Sequence, residues 1–169
     1  YIGVLRSYTR AVTQRNRIIK DYRYDGSLSV MLDVFEEEIA ANGVKIESFR
    51  KRYLKALNEF LPKVYDGISS KKEELSTEYI SSAENLRESL LNSRKEDRDD
   101  IEFKINGIRA KGFASQGQKR SIALSLKLAE AEVINKISGE YPVFLLDDVM
   151  SELDPERQNY VLNHIKGIQ

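Results

Sequence analysis

Two short segments of the chain carry residue types that could hold a phosphate group and a divalent cation. The first is the turn at residues 115–118, Ser-Gln-Gly-Gln, which opens a long apolar stretch. The second, about two dozen residues further on, is the apolar run at 143–146, which is followed by Asp147 and Asp148. A helix that begins beside a hydroxyl and a glycine suits an anion, and adjacent carboxylates suit Mg²⁺. In this order the two segments indicate phosphate chemistry assisted by a metal ion.

The turn at 115–118 predicts an anion site at the start of a helix. Ser115 can cap the helix, and the first amides of a helix have no partner within it. Gly117 permits a close approach of the backbone. We expect the Ser115 hydroxyl and the Gly117 amide to donate to a γ-phosphate, with Lys119 and Arg120 adding positive charge nearby. The alternative is an ordinary N-cap followed by a solvated basic turn.

The two aspartates follow a continuous apolar run, which is typical of a central parallel strand covered on both faces. Ligands of open α/β sheets bind beyond the carboxyl ends of the strands. Because successive side chains point to opposite faces, Asp147 and Asp148 are expected to have different roles. We predict that Asp147 holds Mg²⁺ through a bound water and that Asp148 orients or deprotonates the attacking water. The alternative is that the pair merely ends a strand and caps a loop.

A third segment that nucleotide chemistry commonly uses is missing. A phosphate-binding loop reads G-x-x-x-x-G-K-[ST]. Its nearest approach is residues 112–117, where Gln118 stands in the position of the lysine. We therefore expect this chain alone neither to bind ATP tightly nor to hydrolyse it. Because it starts at Tyr1 without a methionine, we also expect it to be a piece of a longer protein.

Composition narrows the classes of protein that the chain could be. Its 169 residues fit one or two domains, and its formal net charge of zero gives no global attraction to nucleic acid, so any such binding needs a local patch. It has no cysteine, which excludes disulfides and thiolate metal sites and is compatible with a cytoplasmic location. The longest apolar runs are about four residues, too short to span a membrane.

The pattern of apolar residues predicts a mainly helical first part, a helical arm over residues 1–95. Helices are expected at 1–22, at 29–60 with a possible interruption at Asn42 and Gly43, and at 82–93. Pro62 stops the second of these helices or starts the next turn. A strand is expected at 74–81, and the charged residues 95–100 suit a loop.

The second part, residues 96–169, has an α/β pattern. Residues 101–105 alternate as a half-buried strand does, Asn106 and Gly107 form the strongest hairpin signal, and 108–113 would be the returning strand. The helix after Gly117 is expected to end at Ser138 and Gly139, and a last helix begins with Asp154 as N-cap.

Four stretches of the chain resemble the bacterial RecF family: residues 14–16, 114–118, 125–130 and 145–154. The resemblance spans the chain and is most specific in its last third. It implies an α/β P-loop NTPase fold, namely the C-terminal part of an ABC-type head with a mainly helical arm domain, and ATP and Mg²⁺ as cofactors. By the same resemblance, 115–118 is the signature motif that meets ATP held by a partner subunit, and the D-loop runs from Ser151 to Asp154 at the dimer seam. The site residues so implied are Ser115, Gln116, Gly117, Gln118, Asp147, Asp148, Ser151 and Asp154.

The family resemblance also implies a function. Such proteins bind DNA, form head-to-head homodimers around two nucleotides, and work with RecO and RecR to place RecA at single-strand gaps. Aspartate at position 148, where most ABC-type ATPases have glutamate, leads us to expect a weak ATPase in the complete protein. The chain departs from the family before Asp99, where only Arg98, Asp99 and Asp100 match the usual Gly-Pro-His-Arg-x-Asp. The alternatives are a module that docks RecR and the head of another SMC-like ATPase.

Basic residues cluster in two places, and a single histidine lies near the end. Residues 1–23 hold Arg6, Arg10, Arg15, Arg17, Lys20 and Arg23 against one acid, and a second cluster comprises Arg50, Lys51, Arg52 and Lys55. Either cluster could contact DNA phosphates or form a solvated helix face. His164 is expected to be a surface or interface residue.

Overall fold

The computed structural model describes residues 1–22, 29–81, 99–145 and 153–166 of the chain, which are mainly helical with a small sheet. The helices are α1 (Ile2–Tyr22), α2 (Ser29–Asn58), α3 (Leu61–Ile68), α4 (Ala110–Phe113), α5 (Gln116–Ser138) and α6 (Pro155–Lys166). The strands are β1 (Leu75–Ile80), β2 (Asp100–Ile105) and β3 (Ile108–Arg109). Most of the predicted helices and strands are therefore confirmed. The predicted helix at 82–93 lies outside the described residues.

The chain divides into two compact units. The first comprises Tyr1–Tyr53 and Tyr79–Asp100, and the second comprises Leu54–Glu78 and Ile101–Gln169. The predicted boundary between residues 95 and 96 falls outside the described residues, as does most of the predicted charged loop at 95–100. The division into a helical arm and an ATPase head therefore stays a prediction.

The first unit is held together by the inward faces of α1 and α2. Ala11, Ile18, Ile39 and Ile46 are buried there at helical spacing. The predicted interruption of the second helix is absent, because α2 continues through residues 42 and 43. A glycine inside a helix costs about 1 kcal/mol relative to alanine, which the burial of apolar residues on both sides of this point offsets.

The three strands form one sheet in the order β1-β2-β3. The predicted hairpin is confirmed: Ile105 pairs with Ile108 in antiparallel register, and Asn106 and Gly107 have φ of 50° and 78°. Two positive φ angles in succession define the type I′ turn that matches the twist of paired strands. The backbone amide of Asn106 donates to the Glu74 carbonyl oxygen at 2.9 Å, and Asn106 Oδ1 accepts from the Glu74 amide at 2.8 Å.

The returning strand is shorter than predicted. β3 ends at Arg109 instead of Phe113, and the chain continues as the short helix α4. Gly112 has a φ of 94°, a left-handed conformation that breaks both an extended strand and a regular helix. This glycine therefore turns the chain from the sheet towards the start of α5.

The core of the second unit lies where α3, α5 and α6 pack together. It is formed by Val64, Ile68, Leu124, Leu128, Leu153 and Val161. Gly67 on α3 allows the closest approach, because a Cβ at this position would lie 2.0 Å from Cε2 of the Tyr160 ring. Gly139 caps the end of α5 with a φ of 79°, as predicted for a helix that stops at a glycine.

The predicted strand at 143–146 is wrong for the residues that the structure describes. Residues 143–145 have no regular structure, and Val143 and Leu145 are 82% and 92% exposed. A central strand needs neighbours that pair with its backbone and cover both its faces, and β1, β2 and β3 pair among themselves. No helix in the described part of the chain is long and apolar enough to cross a membrane.

Candidate functional site

The turn before α5 is built as a capping box. Ser115 is the N-cap: its Oγ accepts a hydrogen bond from the Gln118 amide at 3.2 Å, and Gln118 Oε1 accepts one from the Ser115 amide at 2.8 Å. This reciprocal pair satisfies two donors at the helix start and fixes the direction in which the chain enters the helix. The predicted cap at Ser115 is therefore confirmed.

The capping box leaves hydrogen-bond donors for a ligand at the same point. The Ser115 hydroxyl acts as acceptor towards Gln118, so its own hydrogen remains available. Among the described residues, the amides of Gln116 and Gly117 have no acceptor, as expected for the first turn of a helix. Ser115 and Gln116 are both exposed, so an anion can reach this end of α5.

Gly117 leaves open space in front of these donors. A Cβ built on it would lie 3.8 Å from Arg157 Nη1 and 3.9 Å from Ser115 Oγ, which are ordinary contact distances. The packing of this chain therefore does not require glycine at this position. The glycine is instead consistent with a group that approaches the backbone from outside.

The start of α6 lies beside the start of α5. Asp154 Oδ1 accepts from the Arg157 amide at 2.9 Å, which confirms the predicted N-cap, and its Oδ2 is 3.2 Å from Arg157 Nε. The other end of the same guanidinium reaches the space in front of Gly117. The structure thus brings Ser115, Gly117 and Asp154 together around Arg157, a cation that the sequence did not single out. The one local signal for Arg157 in the sequence is its position three residues after Asp154.

Glu73 is a second residue that the sequence did not single out, and its hydrogen bonds support the turn before α5. Gln118 Nε2 donates to Glu73 Oε1 at 2.8 Å, and Glu73 Oε2 accepts from the Tyr65 hydroxyl at 2.6 Å. Burial and the hydrogen bond to Glu73 raise the pKa of the Tyr65 phenol, which therefore remains a donor. No signal in the sequence pairs Glu73 with a residue 45 positions away.

Three predicted site residues lie outside the described residues: Asp147, Asp148 and Ser151. Their roles as Mg²⁺ ligand, catalytic carboxylate and D-loop residue therefore stay predictions. Over the described ranges, no group of three or more His, Asp or Glu side chains is placed to hold a metal ion. Of the eight predicted site residues, the structure places Ser115, Gln116, Gly117, Gln118 and Asp154.

His164 is more enclosed than a surface histidine. Its ring stacks on that of Tyr160, with centroids 5.8 Å apart, and its Nε2 is 3.2 Å from Glu132 Oε1. Glu132 also accepts a hydrogen bond from the Tyr141 hydroxyl at 3.0 Å. These contacts fix the side of α6 that faces α5, and they lie within the second unit.

The chain is similar to several known proteins, although no family model matches it. The DNA replication and repair protein RecF of Clostridium perfringens is 36% identical over 187 residues, covering 100% of this chain and 51% of that protein. RecF of Macrococcus caseolyticus is 38% identical over 188 residues, covering 98% of this chain and 51% of that protein. RecF of Agathobacter rectalis is 35% identical over 182 residues, covering 100% and 50%.

Two solved structures of RecF are similar to this chain as well. The recombination mediator protein RecF-ATP in the RecFOR pathway matches with a TM-score of 0.83 and 34% identity, over 100% of this chain and 51% of that one. The RecF-ATPrS structure matches with a TM-score of 0.82 and 33% identity, over the same shares. Along its whole length the chain is thus similar to RecF proteins, and it spans about half the length of the curated relatives that it matches.

Proposed function

We propose that this chain supplies one side of an ATP site to a cytoplasmic, DNA-binding recombination mediator of the RecF kind. In this proposal residues 96–169 are the C-terminal part of an ABC-type P-loop NTPase head, and residues 1–95 form its helical arm. ATP binding makes two heads dimerise. The dimer then acts with RecO and RecR to load RecA at single-strand gaps.

The observation that carries the proposal is the set of donors at the start of α5. The Ser115 hydroxyl and the amides of Gln116 and Gly117 lie at one helix N-terminus, and Arg157 stands in front of them. The dipole of the helix and the guanidinium both favour a phosphate group there. The names of the similar structures, which are those of RecF with ATP, support ATP as the source of that phosphate.

In the same proposal these donors are not sufficient by themselves to hold ATP. The signature turn meets the γ-phosphate of a nucleotide held by the partner head, so nucleotide binding and dimerisation are one event. Asp147, with Mg²⁺, and Asp148, as the residue that orients water, would serve the nucleotide of their own head. Ser151 and Asp154 would lie at the dimer seam. Hydrolysis of ATP is expected to be slow, so ATP binding controls the assembly of the dimer.

The test is a calorimetric titration of this chain with ATP and Mg²⁺, repeated on a protein in which the other half of a RecF sequence precedes it. We expect no measurable binding by the chain alone. With the other half present, we expect binding together with dimer formation, which analytical ultracentrifugation detects. Tight ATP binding by the chain alone would overturn the proposal, because the triphosphate would then have a site elsewhere in these residues.

A further inference from the structure

The structure separates the basic residues of α1 into one inward residue and an exposed row. Arg15 is buried, and its Nε donates to Glu36 at 2.8 Å. Arg6, Arg10, Arg17 and Lys20 are all exposed, and none of them has a carboxylate partner among the described residues. We propose that these four residues, the α1 basic row, bind the phosphate backbone of DNA.

The row is continuous because of its spacing along the helix. Positions 6, 10, 17 and 20 differ by 4, 7 and 3 residues, and these steps return to the same side of an α-helix. Thr13 fills the gap in the row and is exposed as well. At a rise of about 1.5 Å per residue the row extends over roughly 21 Å, the axial length of about six nucleotides of one B-DNA strand.

Two of the four members of the second basic cluster, Arg50 and Lys51, are paired with acids. Arg50 Nη1 is 2.5 Å from Asp99 Oδ2, and Lys51 Nζ is 2.7 Å from Glu47 Oε1. Side-chain hydrogen bonds from Lys51 and Ser81 lower the pKa of Glu47, so this carboxylate stays ionised at neutral pH. A DNA phosphate would have to compete with these carboxylates for Arg50 and Lys51, whereas no carboxylate among the described side chains pairs with the α1 basic row.

The neighbours of the row favour a nucleic acid over a membrane surface. A helix that binds a membrane surface needs apolar side chains alongside its basic ones. In α1 the apolar residues Ala11 and Ile18 face inward and are buried. On the described helix, the apolar side chains beside the row are the exposed Ile2 at its first position and the partly buried Leu5. A linear row of cations with so small an apolar border fits a linear row of phosphates better than a membrane surface.

This inference rests on the DNA-binding part of the proposed function, and salt dependence tests it directly. The probe is a fluorescein-labelled 20-base-pair duplex, and its anisotropy reports binding by the whole chain between 50 and 300 mM KCl. The test variant is R10Q/R17Q. The control, K63Q/K72Q, removes two exposed lysines elsewhere and so changes the net charge equally.

Release of counterions from duplex DNA contributes about 0.9 to the slope of log K against log salt for each phosphate neutralised. We expect R10Q/R17Q to reduce the magnitude of the slope by about 1.8, which weakens binding by roughly 60-fold at 0.1 M salt. The control variant should keep the wild-type slope. Circular dichroism should show the same helix content for all three proteins, because the replaced side chains are exposed.

Three outcomes would overturn the inference. These are no DNA binding by the wild-type chain at 50 mM KCl, equal slopes for wild type and R10Q/R17Q, and equal competition by poly-glutamate, which would point to an acidic protein partner. The titration with ATP is independent of this assay. Loss of DNA binding in R10Q/R17Q would support the α1 basic row even if the ATP proposal failed, and equal slopes would refute the row without affecting the ATP site.

Discussion

Glu73 and Gln118 are joined by a hydrogen bond of 2.8 Å that crosses 45 positions of the chain. The other oxygen of Glu73 accepts from Tyr65, a fully buried residue of α3. The same Gln118 closes the capping box with Ser115. The core of the second unit is therefore linked, through one carboxylate, to the turn that presents donors to a phosphate.

Replacing Glu73 by alanine should destabilise the protein. The change leaves the buried Tyr65 hydroxyl and one amide hydrogen of Gln118 without an acceptor, which costs about 1–3 kcal/mol in free energy of unfolding. Urea denaturation followed by circular dichroism measures this cost. Glu74→Ala, at the exposed neighbouring position, is the control and should stay within about 0.5 kcal/mol of wild type. Equal effects of the two substitutions would show that the Glu73 bridge does not form in solution.

Tyr65 should make the protein less stable at alkaline pH. Burial and the bond to Glu73 raise the pKa of its phenol in the folded state, whereas the unfolded chain loses that proton near pH 10. The unfolded state then binds fewer protons, so the stability from Tyr65 is complete below pH 10 and falls as pH rises above it, by at most about 1.4 kcal/mol per pH unit. Urea denaturation at pH 8, 10 and 11 should show a steeper fall for wild type than for Tyr65→Phe. Parallel curves would contradict the prediction.

Gly67→Ala should disrupt the packing of α3 against α6. Its Cβ would lie 2.0 Å and 2.1 Å from two carbons of the Tyr160 ring. We expect a loss of roughly 1–3 kcal/mol, because the ring or the helix must move. Gly3→Ala is a matched control: a Cβ there has nothing within 4 Å, and alanine favours the helix. Adding Tyr160→Ala should make the Gly67 substitution much less costly, and a cost unchanged in that background would refute the contact.

Gly117→Ala separates ligand binding from folding. Its methyl group would make ordinary contacts at 3.8 Å and 3.9 Å, so the stability of this chain should change by less than about 1 kcal/mol. The methyl would nevertheless fill the space from which a phosphate reaches the amides. In the protein completed with the other RecF half, we expect loss of ATP-dependent dimerisation in analytical ultracentrifugation. Normal dimerisation of this variant would remove Gly117 from the site.

Ser115 can be tested by charge while its cap is kept. Aspartate is as good an N-cap as serine, so Ser115→Asp should leave the midpoint of urea unfolding almost unchanged. Its carboxylate would repel a γ-phosphate and lacks the donor hydrogen, so ATP-dependent dimerisation of the completed protein should be lost. Ser115→Asn, a neutral cap with an amide donor, is the control and should dimerise better than the aspartate variant. Equal dimerisation by the two variants would argue against a phosphate at this turn.

The sequence by itself determined the features that depend on neighbouring residues. Ser115 as N-cap of α5, Asp154 as N-cap of α6 and the turn at Asn106 and Gly107 are all predictable from residue types. In each case a side chain or a glycine acts on backbone within three residues, so local conformational preference decides the outcome. The motif at 115–118 likewise indicates an anion site from its residue types alone.

Only the tertiary structure decided which charged side chains form ion pairs and which lie exposed. Arg15 and Arg50 belong to basic clusters in the sequence, yet each has an acid partner far along the chain, whereas Arg10 stays in an exposed row. Glu73 and Arg157 reach the turn before α5 through helix packing. The composition of the run at 143–146 predicts a strand, but a strand needs partners that composition cannot supply. Pairings between distant residues depend on how the helices and strands pack, and no local preference encodes them.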